Sequence, residues 1–201
     1  MKRIRIGITG GIGSGKSYIS NLISNIYGIP LYNTDNIAKD IMKNNLIIKQ
    51  KIINTFGEDS YIDGNINKPK LNKILFEDED KSNLNTMNSI IIPAIVNDFN
   101  DWCDKQDSSF VLFESAIIFE TGIERNFDFI ICVVADMNVR INRVSKRDNI
   151  SKDLILNRIN NQLTDEIKKT KSDFILPNNN DDDIFLSLMP LMLSLFKVII
   201  K

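Results

Sequence analysis

A glycine-rich stretch near the N-terminus constrains the fold of this chain more than any other feature of its sequence. Residues 10–17 read Gly-Gly-Ile-Gly-Ser-Gly-Lys-Ser and match the pattern G-x-x-x-x-G-K-[ST] completely. Residues 3–9 alternate and are β-branched, which predicts a strand, and a helical pattern of apolar residues begins near Lys16. A strand, a glycine turn and a helix in this order predict a loop that wraps a phosphate group.

The chemistry of phosphate binding explains the spacing of this motif. Glycines let the backbone approach a phosphate closely, and the following helix adds the positive end of its dipole. The Lys16 ammonium can reach the β and γ phosphates, and the Ser17 hydroxyl can bind Mg²⁺. A dinucleotide-binding fingerprint is excluded because it needs a third glycine where Lys16 stands. The predicted ATP site contains Gly11, Ile12, Gly13, Ser14, Gly15, Lys16, Ser17 and Tyr18.

The rest of the chain predicts an α/β fold. The apolar runs 110–113 and 129–135 are typical of buried parallel strands, and helical patterns lie between the predicted strands. We expect a P-loop NTPase-type parallel sheet of about five strands flanked by helices, in a single domain. Its predicted core comprises residues 1–34, 108–137 and 170–201, with a helical acceptor-binding insertion at 35–107, broken by Pro69 and Pro93, and a lid at 138–169.

The composition excludes several kinds of site. Lys plus Arg is 25 and Asp plus Glu is 26, so the basic surplus typical of nucleic-acid binding is missing. The chain has no His, which excludes a Ser-His-Asp triad and the usual Cys/His zinc sites. A general base must therefore be a carboxylate, or a Lys or Cys with a shifted pKa. Cys103 and Cys132, without a signal peptide or membrane-spanning run, suggest reduced thiols in the cytoplasm.

A phosphate loop alone does not separate a kinase from a GTPase switch or an ATPase motor. The chain lacks the D-x-x-G switch motif of a GTPase, and the N/T-K-x-D-like string at 170–173 precedes a predicted strand instead of following one. A motor usually has an apolar strand that ends in Asp, and here the strand ends in Glu114, which leaves an unusual ATPase open. The small size and the two helical regions favour a kinase that binds a small acceptor under a lid.

Four motifs, in order along the chain, resemble dephospho-coenzyme A kinases. The strand and loop of that family end in T-G-G-I-G-S-G-K-S, present here at 9–17. A D-x-D-x-[IL]-[AS] element corresponds to 33–38, and an apolar element ending in Glu corresponds to 114–120. The R-x-x-x-R-D lid element is present at 143–148. The resemblance covers about residues 4–180 and continues through Gln162 to Asn178 and Asn179.

The resemblance implies a reaction and a set of roles. It implies ATP-dependent phosphorylation of the ribose 3′-hydroxyl of dephospho-CoA, with Mg²⁺, and Asp35 as the base. Lys16 and Arg147 are the other expected catalytic residues, and Asn33 and Glu114 are expected beside the acceptor. The first Asp of the D-x-D element is Asn33 here, and the family's His-Pro is Ile92-Pro93. The alternatives are a nucleoside or nucleoside monophosphate kinase, and a nucleotide-binding switch protein. ATP and dephospho-CoA are the expected partners, with no nucleic acid and no membrane.

Several charged residues allow two interpretations. Arg140, Arg143 and Arg147 share one helix face, where like charges repel unless an anion joins them. We expect Arg143 and Arg147 to bind the triphosphate and Arg140 to lie on a solvated face. Glu114 can order Mg²⁺-bound water or the acceptor, or it can cap the turn after its strand. Asp35 can be the N-cap of a helix. The lysines Lys168, Lys169 and Lys171 are expected to be solvated.

Overall fold

A computed structural model describes residues 3–76, 81–180 and 182–197. The predicted core limits at 1–2 and 198–201 lie outside these residues. The chain forms two compact units, each described here by itself. The first contains the described residues of Met1–Leu31 and Ser109–Lys201, and the second is Tyr32–Ser108. Among the described residues, we find no helix with the length and apolar character needed to cross a membrane.

The main sheet of the protein has five strands, four of which lie within the first unit. Its strands are β1 (Ile4–Thr9), β2 (Leu31–Asn33), β5 (Phe110–Glu114), β6 (Phe129–Val134) and β7 (Phe174–Pro177), in the order β2-β5-β1-β6-β7. Of β2, only Leu31 belongs to the first unit. β1 pairs in parallel with β5 and with β6, and β6 pairs in parallel with β7. Ile8 lies opposite Glu114, so the carboxyl ends of β1 and β5 meet at one edge of the sheet. The predicted parallel sheet is confirmed.

Helices surround this sheet and share its core. The helices of the first unit are α1 (Lys16–Tyr27), α6 (Met137–Asp148), α7 (Lys152–Asn160), α8 (Asp165–Lys171) and α9 (Ile184–Phe196). Ile8 and Ile131 of the strands cluster with Ile23 of α1 and with Leu188 and Leu195 of α9, each at most 1% exposed. Truncating such a side chain to Ala typically costs about 2–5 kcal/mol. This core holds the strand before the glycine loop and the helix after it.

The second unit is mainly helical. It consists of α2 (Thr34–Asn44), α3 (Leu46–Phe56), a hairpin of β3 (Tyr61–Ile62) and β4 (Asn65–Ile66), α4 (Lys68–Phe76) and α5 (Ser82–Asp104). Helix α5 runs through Pro93, so the predicted break there is wrong. A buried stripe that includes Met87, Ile91 and Ile95 continues on both sides of the proline. Packing of that stripe outweighs the cost of the missing backbone donor.

The residues of the predicted lid at 138–169 form more than one helix. Within this range α7 ends at Asn160, and a further helix, α8, begins at Asp165. Lys168 on α8 is fully buried, so its predicted place in a solvated run is wrong. Its ammonium lies 2.8 Å from Glu120 and donates to the carbonyl oxygen of Ala116 at 2.6 Å. These two partners compensate the buried charge.

Candidate active site

The glycine loop has the backbone shape that its sequence predicts. Gly13 and Gly15 have φ angles of +79° and +90°, a region that side chains disfavour. A Cβ atom on Gly13 would lie 2.6 Å from the carbonyl oxygen of Arg140, so space as well as backbone angle requires glycine. Gly15 is the N-cap of α1, and no side chain caps this helix. The first turn of α1 therefore presents its N–H groups at a position suited to an anion.

Ser17 and Glu114 form an oxygen-rich pair at the end of β5. The Ser17 hydroxyl donates to Glu114 Oε1 at 2.5 Å. Glu114 is 2% exposed, whereas Ser17 is exposed. Hydroxyl and carboxylate oxygens are the ligands that Mg²⁺ prefers, directly or through water. The contact with Ser17 favours the interpretation in which Glu114 orders Mg²⁺-bound water or the acceptor, and this role stays a prediction.

Arg140 contacts the glycine loop directly. It is only 3% exposed, so the expectation that it lies on a solvated face is wrong. Its Nε donates to the carbonyl oxygen of Ile12 at 2.9 Å, and its Nη1 donates to Asp165 at 2.7 Å. The backbone N–H of Ile12 donates to Gln162 Oε1 at 2.8 Å. Ile12 is thus held on both its carbonyl and its amide side.

Arg143 and Asn178 hold a second point of the loop. Arg143 Nη1 donates to the carbonyl oxygen of Asn178 at 2.8 Å. The Asn178 side chain donates to the carbonyl oxygen of Ser14 at 2.8 Å and is 7% exposed as a residue. The residue after β7 therefore fixes the loop, and Arg143 fixes that residue. In this arrangement Arg143 lies beside the predicted phosphate site, with its guanidinium on backbone carbonyls.

Arg147 differs from the other two arginines of α6. Its side chain is 63% exposed. It donates through Nε and Nη2 to Asp148 at 2.7 and 3.0 Å, and Arg158 donates to the same carboxylate at 3.1 Å. The hydrogen bond from Arg147 is the main reason why the pKa of Asp148 lies below its ordinary value. Arg147 is therefore oriented by its neighbour but remains accessible to a ligand.

The segment between α7 and α8 is anchored by buried polar contacts. The backbone N–H of Leu163 donates to Glu120 Oε1 at 2.9 Å, and the same oxygen pairs with Lys168. Glu120 belongs to the apolar element that the resemblance singles out, and its contacts give that glutamate a structural task. They hold the residue next to Gln162 in place.

The two cysteines form no disulfide, and both Cys103 and Cys132 are buried. Burial raises the pKa of the Cys132 thiol to about 11. A thiol with that pKa is protonated at neutral pH, so Cys132 is unsuited to act as a base. The predicted state of both cysteines as packed thiols outside a disulfide is confirmed.

In the second unit, Asn33 and Asp35 lie at the start of α2. Asn33 is the N-cap, and its side chain accepts a hydrogen bond from the backbone N–H of Asn36 at 3.0 Å. Asp35 is exposed in the first turn, so its interpretation as the helix cap is wrong. An acidic group there also interacts favourably with the helix dipole. The Asp35 carboxylate therefore lies in solvent at the start of this helix, while Asn33 shapes its beginning.

The second unit also contains a cavity of about 550 Å³. Lys39 and Lys43 of α2 and Lys68 of α4 are among the residues that line it. Its apolar residues include Met42, Leu71, Leu75, Met87 and Ile91. An apolar wall with lysines among its residues suits a ligand that is anionic at one end and apolar at the other.

The family model for dephospho-CoA kinase matches residues 4–183. This chain belongs to the dephospho-CoA kinase family. A dephospho-CoA kinase of Fusobacterium nucleatum is 37% identical over 183 residues, which cover 90% of this chain and 92% of that protein. The predicted family is confirmed by these two matches.

Solved structures share the fold of this dephospho-CoA kinase family member. The crystal structure of TT1252 from Thermus thermophilus has a TM-score of 0.83 and 24% identity, covering 96% of this chain and 98% of that chain. A dephospho-CoA kinase from Campylobacter jejuni has a TM-score of 0.57 and 21% identity, with coverage of 96% and 97%. At this level of identity the likeness supports the fold.

Sequence reasoning missed several residues that hold the glycine loop of this dephospho-CoA kinase family member. Gln162 and Asn178 were matched to family elements, but their contacts with the glycine loop were not predicted. Asp165 carried no signal at all, because an acidic residue in the first turn of a helix is common. Each contact joins residues more than 100 positions apart, except for the Arg140–Asp165 pair at 25. Short sequence patterns do not encode such distances.

Proposed function

We propose that this chain transfers the γ-phosphoryl group of ATP to the ribose 3′-hydroxyl of dephospho-CoA, giving CoA and ADP. The family match over residues 4–183 carries this proposal. The glycine loop, with an uncapped helix behind it, supports the nucleotide half of the reaction. Catalysis of phosphoryl transfer consists mainly of positioning and charge stabilisation, which is the chemistry that such a loop supplies.

The nucleotide half of the mechanism uses the first unit. Backbone N–H groups of the loop and of the first turn of α1 bind the phosphates, apart from those of Ile12 and Ser14, which donate to Gln162 and to the Gly11 carbonyl oxygen. The Lys16 ammonium stabilises the charge on the transferring group. Ser17 and Glu114, whose oxygens are 2.5 Å apart, would hold Mg²⁺ directly or through water. Mg²⁺ held by these two residues would supply positive charge that offsets the negative charge of the phosphates.

Asp35 is our proposed base. The chain has no histidine, and burial raises the pKa of the Cys132 thiol to about 11, so a carboxylate is a natural acceptor of the ribose proton. The proton would move from the 3′-hydroxyl to an Asp35 carboxylate oxygen as the new P–O bond forms. Asp35 is exposed and does not cap α2, so its oxygens are available for this task. Asn33, as the cap, orders the backbone that carries Asp35.

Arg143 and Arg147 are the residues of the lid that we propose to bind the phosphates of ATP. Arg147, 63% exposed at the side chain, is suited to bind the phosphate oxygens when substrates are present. Its partner Asp148 also accepts from Arg158, so the carboxylate keeps one arginine when Arg147 turns to the phosphates. Arg143 is a proposed phosphate ligand from its position beside Ser14, to whose carbonyl oxygen it donates at 3.4 Å.

The cavity of the second unit supports an acceptor like dephospho-CoA. That molecule joins a diphosphate to a long, largely apolar pantetheine arm. Lys39 and Lys43 suit the diphosphate, and the wall formed by Met42, Leu71 and Met87 suits the arm. Lys39 follows Asp35 by four residues on α2, a spacing that brings both onto one face of the helix. We expect the reaction in the cytoplasm, where two free cysteines remain reduced.

A substrate panel tests this function. The protein is incubated with MgATP and, in turn, dephospho-CoA, adenosine, AMP and no acceptor, and ADP release is coupled to a detectable reaction. We expect ADP release only with dephospho-CoA, together with CoA as the product identified by mass spectrometry. Turnover with adenosine or AMP instead would indicate a nucleoside or nucleoside monophosphate kinase. Nucleotide binding without acceptor-dependent turnover would indicate a switch protein.

A further inference from the structure

Ile12, near the start of the glycine loop, is held from two directions by side chains that lie far along the chain. Its carbonyl oxygen accepts from Arg140 Nε at 2.9 Å, and its amide donates to Gln162 Oε1 at 2.8 Å. The amide of Ile12 therefore points at a side chain of the protein. The two peptide units around Ile12 set the orientation of the backbone that follows it.

Arg140 is itself held on its other side. Nη1 donates to Asp165, the first residue of α8, at 2.7 Å, and the side chains of this pair are 4% and 20% exposed. The N-cap of α8 is Thr164, whose side chain accepts a hydrogen bond from the Ile167 amide. The Asp165 carboxylate therefore does not cap its own helix, and it pairs with Arg140 instead. The neighbouring Leu163 amide is bonded to Glu120. These contacts therefore hold the N-terminal end of α8 in place.

We propose that Arg140 is a positioning residue that fixes the glycine loop in its nucleotide-binding shape. Through Asp165 it also couples the loop to the N-terminal end of α8. The proposal rests on the proposed function only in taking the glycine loop as the nucleotide site. Arg140 does not touch the phosphates; it orients Ile12, so that the backbone N–H groups after it converge on them. A loop that is already ordered before binding loses little conformational entropy when the nucleotide binds, so its affinity for the nucleotide is higher.

Arginine is required here for a geometric reason. Its planar guanidinium donates through Nε to a carbonyl and through Nη1 to a carboxylate at the same time. A lysine has a single ammonium group on a flexible stem. It cannot donate to the Ile12 carbonyl oxygen and to the Asp165 carboxylate in one fixed geometry. Gly11 leaves room for this fork, because a Cβ atom there would collide with the Arg140 guanidinium. The loop sequence and the arginine are therefore matched to each other.

The test compares two neighbouring acidic residues of α8. Asp165→Asn removes the negative charge that pairs with Arg140, whereas Glu166→Gln removes the exposed negative charge that pairs with Lys169. Both variants therefore lose one charge and one ion pair in the same helix turn, and each keeps an amide oxygen in place of the carboxylate. MgADP affinity is measured by calorimetry without acceptor, beside the melting temperature. We expect Asp165→Asn and Arg140→Lys to weaken MgADP binding roughly 10-fold, the loss typical of one charge-assisted hydrogen bond. Glu166→Gln should bind MgADP like the parent.

Two further expected results distinguish loop positioning from a general effect of Asp165 and Arg140 on protein stability. Asp165→Glu keeps the charge and should recover most of the affinity that Asp165→Asn loses. In steady-state assays the KM for ATP should rise in Asp165→Asn, with the KM for the acceptor unchanged. MgADP binding within about two-fold of the parent in folded Asp165→Asn and Arg140→Lys would overturn the proposal.

A further variant covers the case in which both of these variants fail to fold. Gln162→Met removes the acceptor of the Ile12 amide without leaving a buried charge, and it should weaken MgADP binding in the same selective way. Parent-like binding by Gln162→Met would then overturn the proposal. Because MgADP binding needs no acceptor, absence of turnover with dephospho-CoA would count against the proposed function and not against this inference.

Discussion

The two units of this protein use charge in different ways. Glu114, Arg140 and Lys168, the buried charged side chains among the described residues, all belong to the first unit. In the second unit the ion pair between Lys70 and Asp59 lies at the surface, and the Asp59 side chain is 73% exposed. Buried pairs are costly to form and costly to break, so they suit a place where atoms must stay fixed.

This difference corresponds to two tasks. Phosphoryl transfer needs donors held within a fraction of an ångström of the transferring group, and the buried contacts of the first unit provide such rigidity. The second unit instead offers an apolar cavity with flexible lysines, which can adjust to a long ligand. We therefore expect substitutions in the first unit to change nucleotide binding and catalysis, and substitutions in the cavity to change acceptor affinity.

The largest effect that we expect follows from Lys16→Ala. Loss of the ammonium removes charge stabilisation from the transferring phosphate, so ADP release should fall to the background of the assay. The melting temperature should remain close to that of the parent, because Lys16 is part of the predicted phosphate site and not of the apolar core. Appreciable turnover by the folded variant would remove the glycine loop from the mechanism.

Asp35→Asn tests whether the second unit contributes to chemistry as well as to binding. If Asp35 accepts the ribose proton, kcat should fall by roughly 10²–10⁴-fold while MgADP binding persists. Asn33 caps the helix, so thermal stability should change little. Asp40→Asn, an exposed change on the same helix, is the matched control and should retain parent activity. Turnover of Asp35→Asn within a few-fold of the parent would make the second unit a binding element only.

Arg147→Ala tests the exposed arginine of the first unit. Because Arg147 is accessible and is proposed to contact the transferring phosphate, we expect kcat to fall by roughly 10-fold, the size of one charge-assisted hydrogen bond. The KM for dephospho-CoA should change less. Lys146→Ala removes a neighbouring exposed positive charge and serves as the control. Equal effects of both variants would show that general charge, and not a specific contact, is responsible.

The smallest effect concerns the cavity. Lys43→Met keeps the aliphatic stem and removes one ammonium group from the lining, so the KM for dephospho-CoA should rise about three- to five-fold, with kcat and MgADP affinity unchanged. Lys51→Met, an exposed change on α3 outside the cavity, should leave all three constants unchanged. A Lys43→Met variant with parent-like KM would separate the cavity from the acceptor site.

Local patterns predicted the structure around the glycine loop well. The strand, the glycine loop and the helix after it follow from a contiguous stretch of sequence, because each conformation is set by the residues that adopt it. The buried strands were recognised for a similar reason, since continuous apolar runs are typical of a parallel sheet. Because the chain has no histidine, the sequence limited the base to a carboxylate, or to a Lys or Cys with a shifted pKa, and the family resemblance pointed to Asp35.

The environment of individual charged side chains was predicted less well. Arg140 and Lys168 have the same local pattern as exposed neighbours on their helices, yet both are buried by partners elsewhere in the chain. Pro93 breaks isolated helices, but packing on both sides keeps α5 continuous. Asn33 occupies the N-cap position of α2, and Asp35 is therefore not the cap and is available to a ligand.

By itself, the sequence determined the phosphate loop, the class of fold and the family of this protein, because these depend on short patterns and on their order. Only the tertiary structure decided which charged residues are buried and what they hold. The partners of Ile12 come from residues 140 and 162, and the partner of Arg140 comes from residue 165. Such contacts form when helices pack around the sheet, and the free energy of burying a charge depends on the partner that packing brings to it.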